Sequence, residues 1–143
     1  MPAAKYNIAI EQGATFRFPK FRFGTLLVDS EGAPILDNNG NQQIDVPRDF
    51  TDCKFRLQVR KRQKPDAEVM VTLTSEDIDG GVTGDADGYV TALMPDELSD
   101  LVVSSGYYDI KCYNPDQTED RLIEGSVSIS RATTVDAPVT VNP

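Results

Sequence analysis

Two carboxylates, Asp109 and Glu124, are the residues best placed for chemistry, because they lie on neighbouring predicted strands. Two carboxylates on one face can serve as general acid and general base. The alternation around them predicts a solvated sheet face, and no cleft is indicated. Histidine is absent from the 143 residues, so the usual base of a nucleophilic triad is missing. The sequence therefore predicts a protein that is not an enzyme and has no cofactor.

A second chemical pattern consists of alternating oxygen-bearing residues, Asp37, Asn39, Asn41 and Asp45, as at the start of a calcium loop. The bidentate glutamate that should follow is missing, and Gly40 lies between two asparagines. We therefore predict a solvated turn and no metal site. Long loops in compact domains often bind partners, so Asp37, Asn39 and Asn41 are candidate partner-contact residues.

Cys53 and Cys112 are the only cysteines, and each lies on the apolar face of a predicted strand. Two reduced, buried thiols are the predicted state for a protein made in a reducing compartment. A disulfide between two packed sheets is the alternative. Two cysteines without histidine cannot complete a zinc site.

Composition restricts the partners and the setting of the chain. A net charge of -9 and a pI near 4.4 argue against nucleic acid as a partner. No apolar run approaches the length that spans a bilayer, and the first residues lack the pattern of a signal peptide. We expect one domain, made in a reducing cytosol, with no membrane partner.

Alternating polarity and turn residues predict the elements that hold these groups. The clearest strand is 53–63, which turns Phe55, Leu57 and Val59 inward and a basic row, including Arg56 and Arg60, outward. That row suits an acidic neighbour or a merely solvated face. Further strands are predicted at 5–12, 15–23, 69–73 and 89–94, with a break at Pro19.

The C-terminal hairpin, 106–131, shows the same alternation. Tyr108, Ile110 and Cys112 are predicted to point inward, with Tyr107 and Tyr113 on the solvated face as candidate contact residues. On the return strand the pattern predicts Ile123, Gly125, Val127 and Ile129 on one face and Leu122, Glu124, Ser126 and Ser128 on the other.

Together these elements predict an all-β fold, a two-layer antiparallel β-sandwich of about seven or eight strands. One short helix begins near Pro95, and residues 29–52 form a long polar loop with a short hairpin around Asn39-Gly40. The domain is predicted to span 1–131. The C-terminal tail, 132–143, is predicted to be loose or docked on a partner, with Val139 and Val141 as candidate contacts.

Four segments, in this order, resemble a family of small tailed-phage and prophage virion proteins: IAIEQGATFRF, DFTDCKFRLQVRKR, VMVTLTSEDIDGG and GYYDIKCYNPDQTEDRLIEGSVSISR. The family has a Gly-aromatic pair where this chain has Asp52 and Cys53. Residues 109–111 match its "DL" strand, and 121–125 match its "RLlxG" element. The loop at 29–52 departs from the family pattern.

This family is similar to the N-terminal β-sandwich domain of phage baseplate upper proteins, which anchors receptor-binding or fibre parts. The resemblance implies a structural tail or baseplate protein, an adaptor in the virion whose partners are other virion proteins in symmetric copies. A head decoration or head–tail connector subunit is one alternative. A soluble carbohydrate-binding module, with Tyr107 and Tyr113 as a stacking platform, is another.

Overall fold

The computed structural model describes residues 3–77 and 81–130, which form twelve strands and one short helix. The strands are β1 (Ala4–Lys5), β2 (Ile8–Glu11), β3 (Phe16–Arg17), β4 (Phe21–Arg22), β5 (Gly24–Leu26), β6 (Ile44–Pro47), β7 (Lys54–Arg60), β8 (Val69–Thr74), β9 (Gly81–Gly84), β10 (Tyr89–Met94), β11 (Gly106–Tyr113) and β12 (Glu119–Ser130), and the helix is α1 (Asp96–Ser99). The predicted all-β class with one short helix is confirmed.

The larger sheet has β11 and β7 at its centre. Its order is β1-β12-β11-β7-β8, and β2 pairs with the same edge of β12 as β1 does. Both of these N-terminal strands run parallel to β12, whereas β12, β11, β7 and β8 are antiparallel. The predicted strand at 5–12 is thus interrupted around Tyr6, which is exposed and donates its backbone N–H to the Glu124 carbonyl.

The smaller sheet is built around β10, with β9 on one side and both β3 and β4 on the other. The segment between β3 and β4 contains Pro19, which has no N–H for the ladder and therefore breaks the edge strand. The prediction of a break there is confirmed. Strand β9, which the sequence pattern does not predict, pairs with β10 before the turn at 85–88.

Residues 24–47 form a separate ribbon, which we call the arm. Strands β5 and β6 pair with each other at its base, and two isolated bridges, Val28 with Pro34 and Leu36 with Gln42, continue it as hairpins. The predicted hairpin around Asn39-Gly40 is confirmed. The prediction of a long loop over 29–52 is wrong in one respect, because Ile44–Pro47 form the strand β6.

Alternating side chains from both sheets meet in one hydrophobic core. The inward residues predicted for β7 and β11 are buried, as are Val82, Val90 and Met94 from the smaller sheet. This shared core fits the predicted two-layer arrangement, which itself stays a prediction. Near the short helix, Leu98 is half-buried and Val102 is buried, whereas Leu101 lies exposed just beyond the helix.

Two residues predicted to be solvated are buried instead. Phe50, within the predicted polar loop, is only 1% exposed, because the chain re-enters the core directly after the arm. Leu122 is buried beside Ile123, because the register of β11 and β12 shifts between Ile110 and Lys111. Such a bulge puts one extra residue on one strand and so defeats strict alternation.

One five-residue loop, Asp-x-x-Gly-x, occurs three times, at 29–33, 37–41 and 85–89. In each, the first carboxylate accepts hydrogen bonds from the N–H groups of the third and fifth residues. The glycine has a φ of 84°, 81° and 85° respectively, the left-handed region that glycine enters without strain. These are three-residue hairpin loops with a glycine bulge.

The loop at 114–118 follows the same path with Gln117 in the glycine position, at a φ of 75°. Gln117→Gly should therefore raise the free energy of unfolding by about 0.5–1 kcal/mol, because relief of left-handed strain exceeds the added freedom of the unfolded chain. Urea unfolding followed by circular dichroism measures the change. Ala86→Gly, at a loop position that does not have a positive φ, is the matched control and should destabilise slightly. Equal effects of the two substitutions would contradict this explanation.

Candidate functional site

The solvent-facing side of the central strands forms a shallow hollow of about 430 Å³, which we call the basic trough. Leu57 and Val59 point into the core, so strand alternation turns Arg56, Gln58 and Arg60 outward. Residues of β11, β12 and the loop after β7 complete the lining. Six basic side chains belong to it: Arg56, Arg60, Arg62, Lys64, Lys111 and Arg121.

Asp109 and Glu124 are the two carboxylates of the basic trough, and they face each other in register. Arg121 bridges them: its Nε lies 3.2 Å from Asp109 Oδ2 and its Nη1 lies 3.4 Å from Glu124 Oε2. Lys5 Nζ is 4.0 Å from the other oxygen of Glu124. The structure thus places the two acids together, as predicted, as ion-pair partners of one arginine.

Two other arginines of the basic trough, Arg56 and Arg60, are held by neutral groups. Arg60 donates to the carbonyls of Pro65 at 3.0 Å and Ala67 at 2.9 Å, and to Gln58 Oε1 at 2.8 Å. The guanidinium of Arg56 stacks over the ring of Tyr113 at 5.4 Å. These contacts fix the positions of the cations without cancelling their charge.

Four cations of the basic trough lack an acidic partner. Within residues 3–77 and 81–130, no carboxylate forms a salt bridge with Arg56, Arg60, Arg62 or Lys64. The trough is therefore a positively charged surface on a chain whose net charge is -9. A surface of this kind attracts an anionic group.

Tyr107 and Tyr113 both lie on the outer face of β11, as predicted, but they do not form one platform. Six residue-to-residue steps of extended chain place them about 20 Å apart. Tyr107 is 40% exposed and lines the basic trough, whereas Tyr113 is half-buried under Arg56. Only Tyr107 therefore offers an open ring beside the charged groups.

The structure also explains the calcium-like residues of the arm. Oδ1 of Asp37 accepts the N–H groups of Asn39 at 2.8 Å and Asn41 at 2.9 Å, so this carboxylate oxygen closes the hairpin loop. Among the described residues no group of three or more His, Cys, Asp or Glu side chains is placed to hold a metal ion. The predicted solvated turn is thus what the backbone forms.

The arm exposes large apolar side chains. Leu26, Val28, Ile35, Leu36 and Val46 are 39%, 45%, 41%, 53% and 59% exposed. They occur beside the carboxylates of Asp29, Glu31, Asp37 and Asp45, with no lysine or arginine between Gly24 and Pro47. Exposed aliphatic side chains concentrated on one protruding ribbon are typical of a surface that is covered by a partner.

Arg48 ties the base of the arm to the hairpin of β11 and β12. Its Nη2 donates to Asp120 Oδ2 at 2.7 Å and to Asn114 Oδ1 at 3.0 Å, and its guanidinium lies 5.0 Å from the centre of the Phe50 ring. The hydrogen bonds from Arg48 and Asn114 lower the pKa of Asp120 below its usual value. This contact fixes where the arm leaves the domain.

Cys53 and Cys112 are neighbours with free thiols, and both thiols approach Oδ1 of Asn114, at 3.5 Å and 3.6 Å. Cys112 is fully buried, whereas Cys53 is half-buried. Burial, followed by the hydrogen bond and charge of Cys53, raises the pKa of the Cys112 thiol to about 12. The structure agrees with the predicted reduced state.

The folded protein should therefore react with a maleimide at Cys53 and not at Cys112, because a thiolate is needed and reagent cannot reach a buried sulfur. Intact-mass and peptide mass spectrometry would show one fast adduct at neutral pH and a second only in denaturant. Cys53→Ser should abolish the fast adduct. Rapid labelling of Cys112 in the folded protein would contradict the described burial.

The predicted contact residues come from separate parts of the chain. Asp37, Asn39 and Asn41 lie together in the arm, whereas Tyr107 lies in the basic trough. Val139 and Val141, with the domain boundary at 131–132, lie outside the described residues. Strand alternation predicts the basic row of β7. It does not predict that Arg62, Lys64 and Arg121 lie on the same surface as that row. Only the pairing of β7 with β11 and of β11 with β12 brings them together.

Comparison with models of known protein families and with curated protein sequences finds no match. Among the described residues, no helix is both long enough and apolar enough to cross a membrane. Two of the four segments that carry the phage-protein resemblance lie side by side in the larger sheet. Arg56, Gln58 and Arg60 from one, and Asp109 and Arg121 from another, all line the basic trough.

Proposed function

We propose that this chain is a structural protein of a tailed-phage virion, a tail or baseplate component that anchors fibres or neighbouring tail proteins. One observation carries the proposal: polar positions of two separate resembling segments meet on one face. Arg56, Gln58 and Arg60 lie on β7, and Asp109 and Arg121 lie on the hairpin that pairs with it. Polar residues that come from two resembling segments and are gathered on one surface are consistent with a contact surface.

A backbone feature adds support. Asp52 has a φ of 63°, and it occupies the position where the resembling family has glycine. Glycine enters this left-handed region more readily than other residues, so the family pattern suits the turn before β7. The same local path would explain why the two sequence patterns resemble each other here despite the substitution.

The proposed role is binding without catalysis. The chain has no histidine, and the paired carboxylates of the basic trough are engaged by Arg121. Two surfaces suit partners: the charged basic trough and the arm with its exposed aliphatic side chains. A domain with two dissimilar binding surfaces can connect two neighbours, which is what an adaptor does.

Cryo-electron microscopy of the intact particle, with this chain traced in the map, tests the proposal. We expect density at the baseplate or at the root of a fibre, with the arm or the basic trough covered by a neighbour. Density on the capsid or the neck would favour a head decoration or connector subunit and overturn the tail location. Absence from purified particles would overturn the virion role.

The carbohydrate-binding alternative depends on the exposed ring of Tyr107. A sugar could stack there and hydrogen-bond to the polar groups of the basic trough, although the distant Tyr113 cannot contribute to the same ring contact. Binding of the purified protein to host-surface polysaccharide, lost in Tyr107→Ala and retained in Tyr113→Ala, would favour this alternative. Binding to a tail protein without any affinity for polysaccharide would exclude it.

A further inference from the structure

We propose that the arm of one copy of this chain binds in the basic trough of a second copy, head to tail. This inference goes beyond the virion role and does not rest on it, because it uses only the charges and exposure of this chain. The occupant is the arm, residues 24–47, and the receiving surface is the outer face of β7, β11 and β12.

The basic trough needs an anionic occupant. Arg56, Arg60, Arg62 and Lys64 have no carboxylate partner among residues 3–77 and 81–130, and Arg62 and Lys64 are exposed. Like charges gathered on one face repel each other, so bringing carboxylates to them is favourable. The stacked or hydrogen-bonded guanidinium groups of Arg56 and Arg60 are already held in place and lose little freedom on binding.

The arm has the complementary properties. Its carboxylates, at Asp29, Glu31, Asp37 and Asp45, form no salt bridge with any cation in the described part of the chain. Its exposed aliphatic side chains would gain from contact with the stems of the trough's arginines and with Tyr107. Acidic groups therefore provide attraction and register, and apolar groups provide contact area.

The contact is expected between copies, because no residue of the arm lines the basic trough of its own chain. The base of the arm is fixed by Arg48 to Asn114 and Asp120, beside the β11–β12 turn. Arg62 and Lys64 follow the opposite end of β7, which the rise of an extended chain places about 20 Å away.

Because the two surfaces differ, every copy would offer both an arm and a trough. When each arm binds a different neighbour, as in the proposed head-to-tail arrangement, the contact repeats from copy to copy and yields a ring or an open filament. A closed two-fold dimer, formed by reciprocal exchange of arms between two copies, would contradict the head-to-tail arrangement. The proposal therefore predicts association beyond a dimer as the protein concentration rises. It also predicts weakening by salt, since the attraction is between exposed charges.

Analytical ultracentrifugation of the full chain tests the contact over a range of protein concentrations at low and high salt. Arg62→Glu with Lys64→Glu reverses the charge of the trough at two side chains that form no ion pair within residues 3–77 and 81–130. Glu31→Lys with Asp45→Lys reverses the charge at two positions of the arm and leaves Asp29 and Asp37, which close the hairpin loops, unchanged. Each double variant alone should associate about tenfold or more weakly than the wild type.

Mixing the two double variants provides the decisive measurement. The arm variant has lysines at the changed positions of its arm and keeps its basic trough, whereas the trough variant keeps its acidic arm and has glutamates at the changed positions of its trough. Each arm therefore meets charges of the opposite sign in the other variant's trough, and the mixture should associate again. Arg17→Glu with Lys20→Glu changes the net charge as much as the trough variant does, at exposed residues outside the trough. This control should associate as the wild type does.

Three results would overturn the proposal. The first is a wild-type protein that remains monomeric at low salt and high concentration. The second is association that neither double variant weakens, or that the mixture does not restore. The third is a monomeric protein whose basic trough binds a labelled single-stranded oligonucleotide, with Arg62→Glu and Lys64→Glu removing that binding, since phosphate would then be the anion that the trough receives.

Discussion

Phe50→Ala should lower the free energy of unfolding by about 3–5 kcal/mol, the range for truncating a buried phenylalanine. Phe50 is 1% exposed, and its ring lies 5.4 Å from the Phe55 ring and 6.1 Å from the Phe23 ring. Its Cβ is also 3.0 Å from where a side chain would begin at Gly84. The truncation would thus leave a cavity in the core beside Phe55 and Gly84, at the base of the arm.

Urea unfolding, followed by circular dichroism because the chain has no tryptophan, measures the loss. Val46→Ala is the matched control: it shortens an apolar side chain in the same region, but that side chain is 59% exposed. Its effect should stay within about 0.5 kcal/mol. A loss below about 1 kcal/mol for Phe50→Ala would show that this ring is not packed in the core as described.

Phe50 also shows why part of the fold could not be predicted. Regular alternation identified β7, β10 and β11, since each buries every second side chain. Around Phe50 the composition is polar and no alternation is present, so a single buried ring anchored between turns leaves no periodic signal. The bulge that buries Leu122 is a property of two paired strands and is likewise invisible in one of them.

The three hairpin loops could have been predicted from the spacing of their Asp and Gly residues, although the polar composition around them suggests only unspecified turns. The spacing Asp-x-x-Gly, repeated at 29–32, 37–40 and 85–88, is the physical requirement of the loop: a carboxylate to accept two N–H groups and a glycine for the positive φ. The calcium-like spacing of the second copy is this same requirement. The predicted solvated turn is therefore correct, but the sequence pattern did not give its cause, which is the closure of the loop by Asp37.

For the candidate site, the sequence predicted which face some residues occupy, but not that they lie together on one surface. Alternation placed Arg56 and Arg60 on a solvated face, and Asp109 and Glu124 on neighbouring strands. The trough depends on which strands pair and in which register, and that is decided by contacts far apart in sequence. Net charge was misleading at this scale, because an excess of acid over the whole chain conceals a local excess of base.

Stability should fall steeply in alkali. Burial raises the pKa of Cys112 from its ordinary 9.0 to about 12, and burial together with the charge of Tyr6 raises the pKa of Tyr108 above its usual range. The hydroxyl of Tyr108 donates to the Tyr6 carbonyl at 2.6 Å, so the protonated form is the one the fold holds. Both groups therefore favour folding fully below their ordinary pKa values, and this contribution is lost as the pH rises towards the folded values.

Above about pH 9 the unfolded chain gives up the Cys112 proton while the folded chain keeps it. Each unit of pH then costs about 1.4 kcal/mol for that group, and from about pH 10 the same holds for Tyr108. Between pH 8 and pH 11 the two groups together should remove roughly 4 kcal/mol from the free energy of unfolding. Urea unfolding at a series of pH values measures this slope.

Substitutions show how much Cys112 and Tyr108 each contribute to the fall of the unfolding free energy with pH. Cys112→Val fills a similar volume without an ionisable atom and should remove about two thirds of the loss, and Tyr108→Phe should remove most of the remainder. Tyr107→Phe, on the same strand but with an exposed ring, should leave the slope as in the wild type. An unchanged slope in Cys112→Val would mean that the thiol ionises equally well in the folded and unfolded chains. In that case its burial against β7 would not control its chemistry, and the protection of Cys112 from maleimide should fail as well.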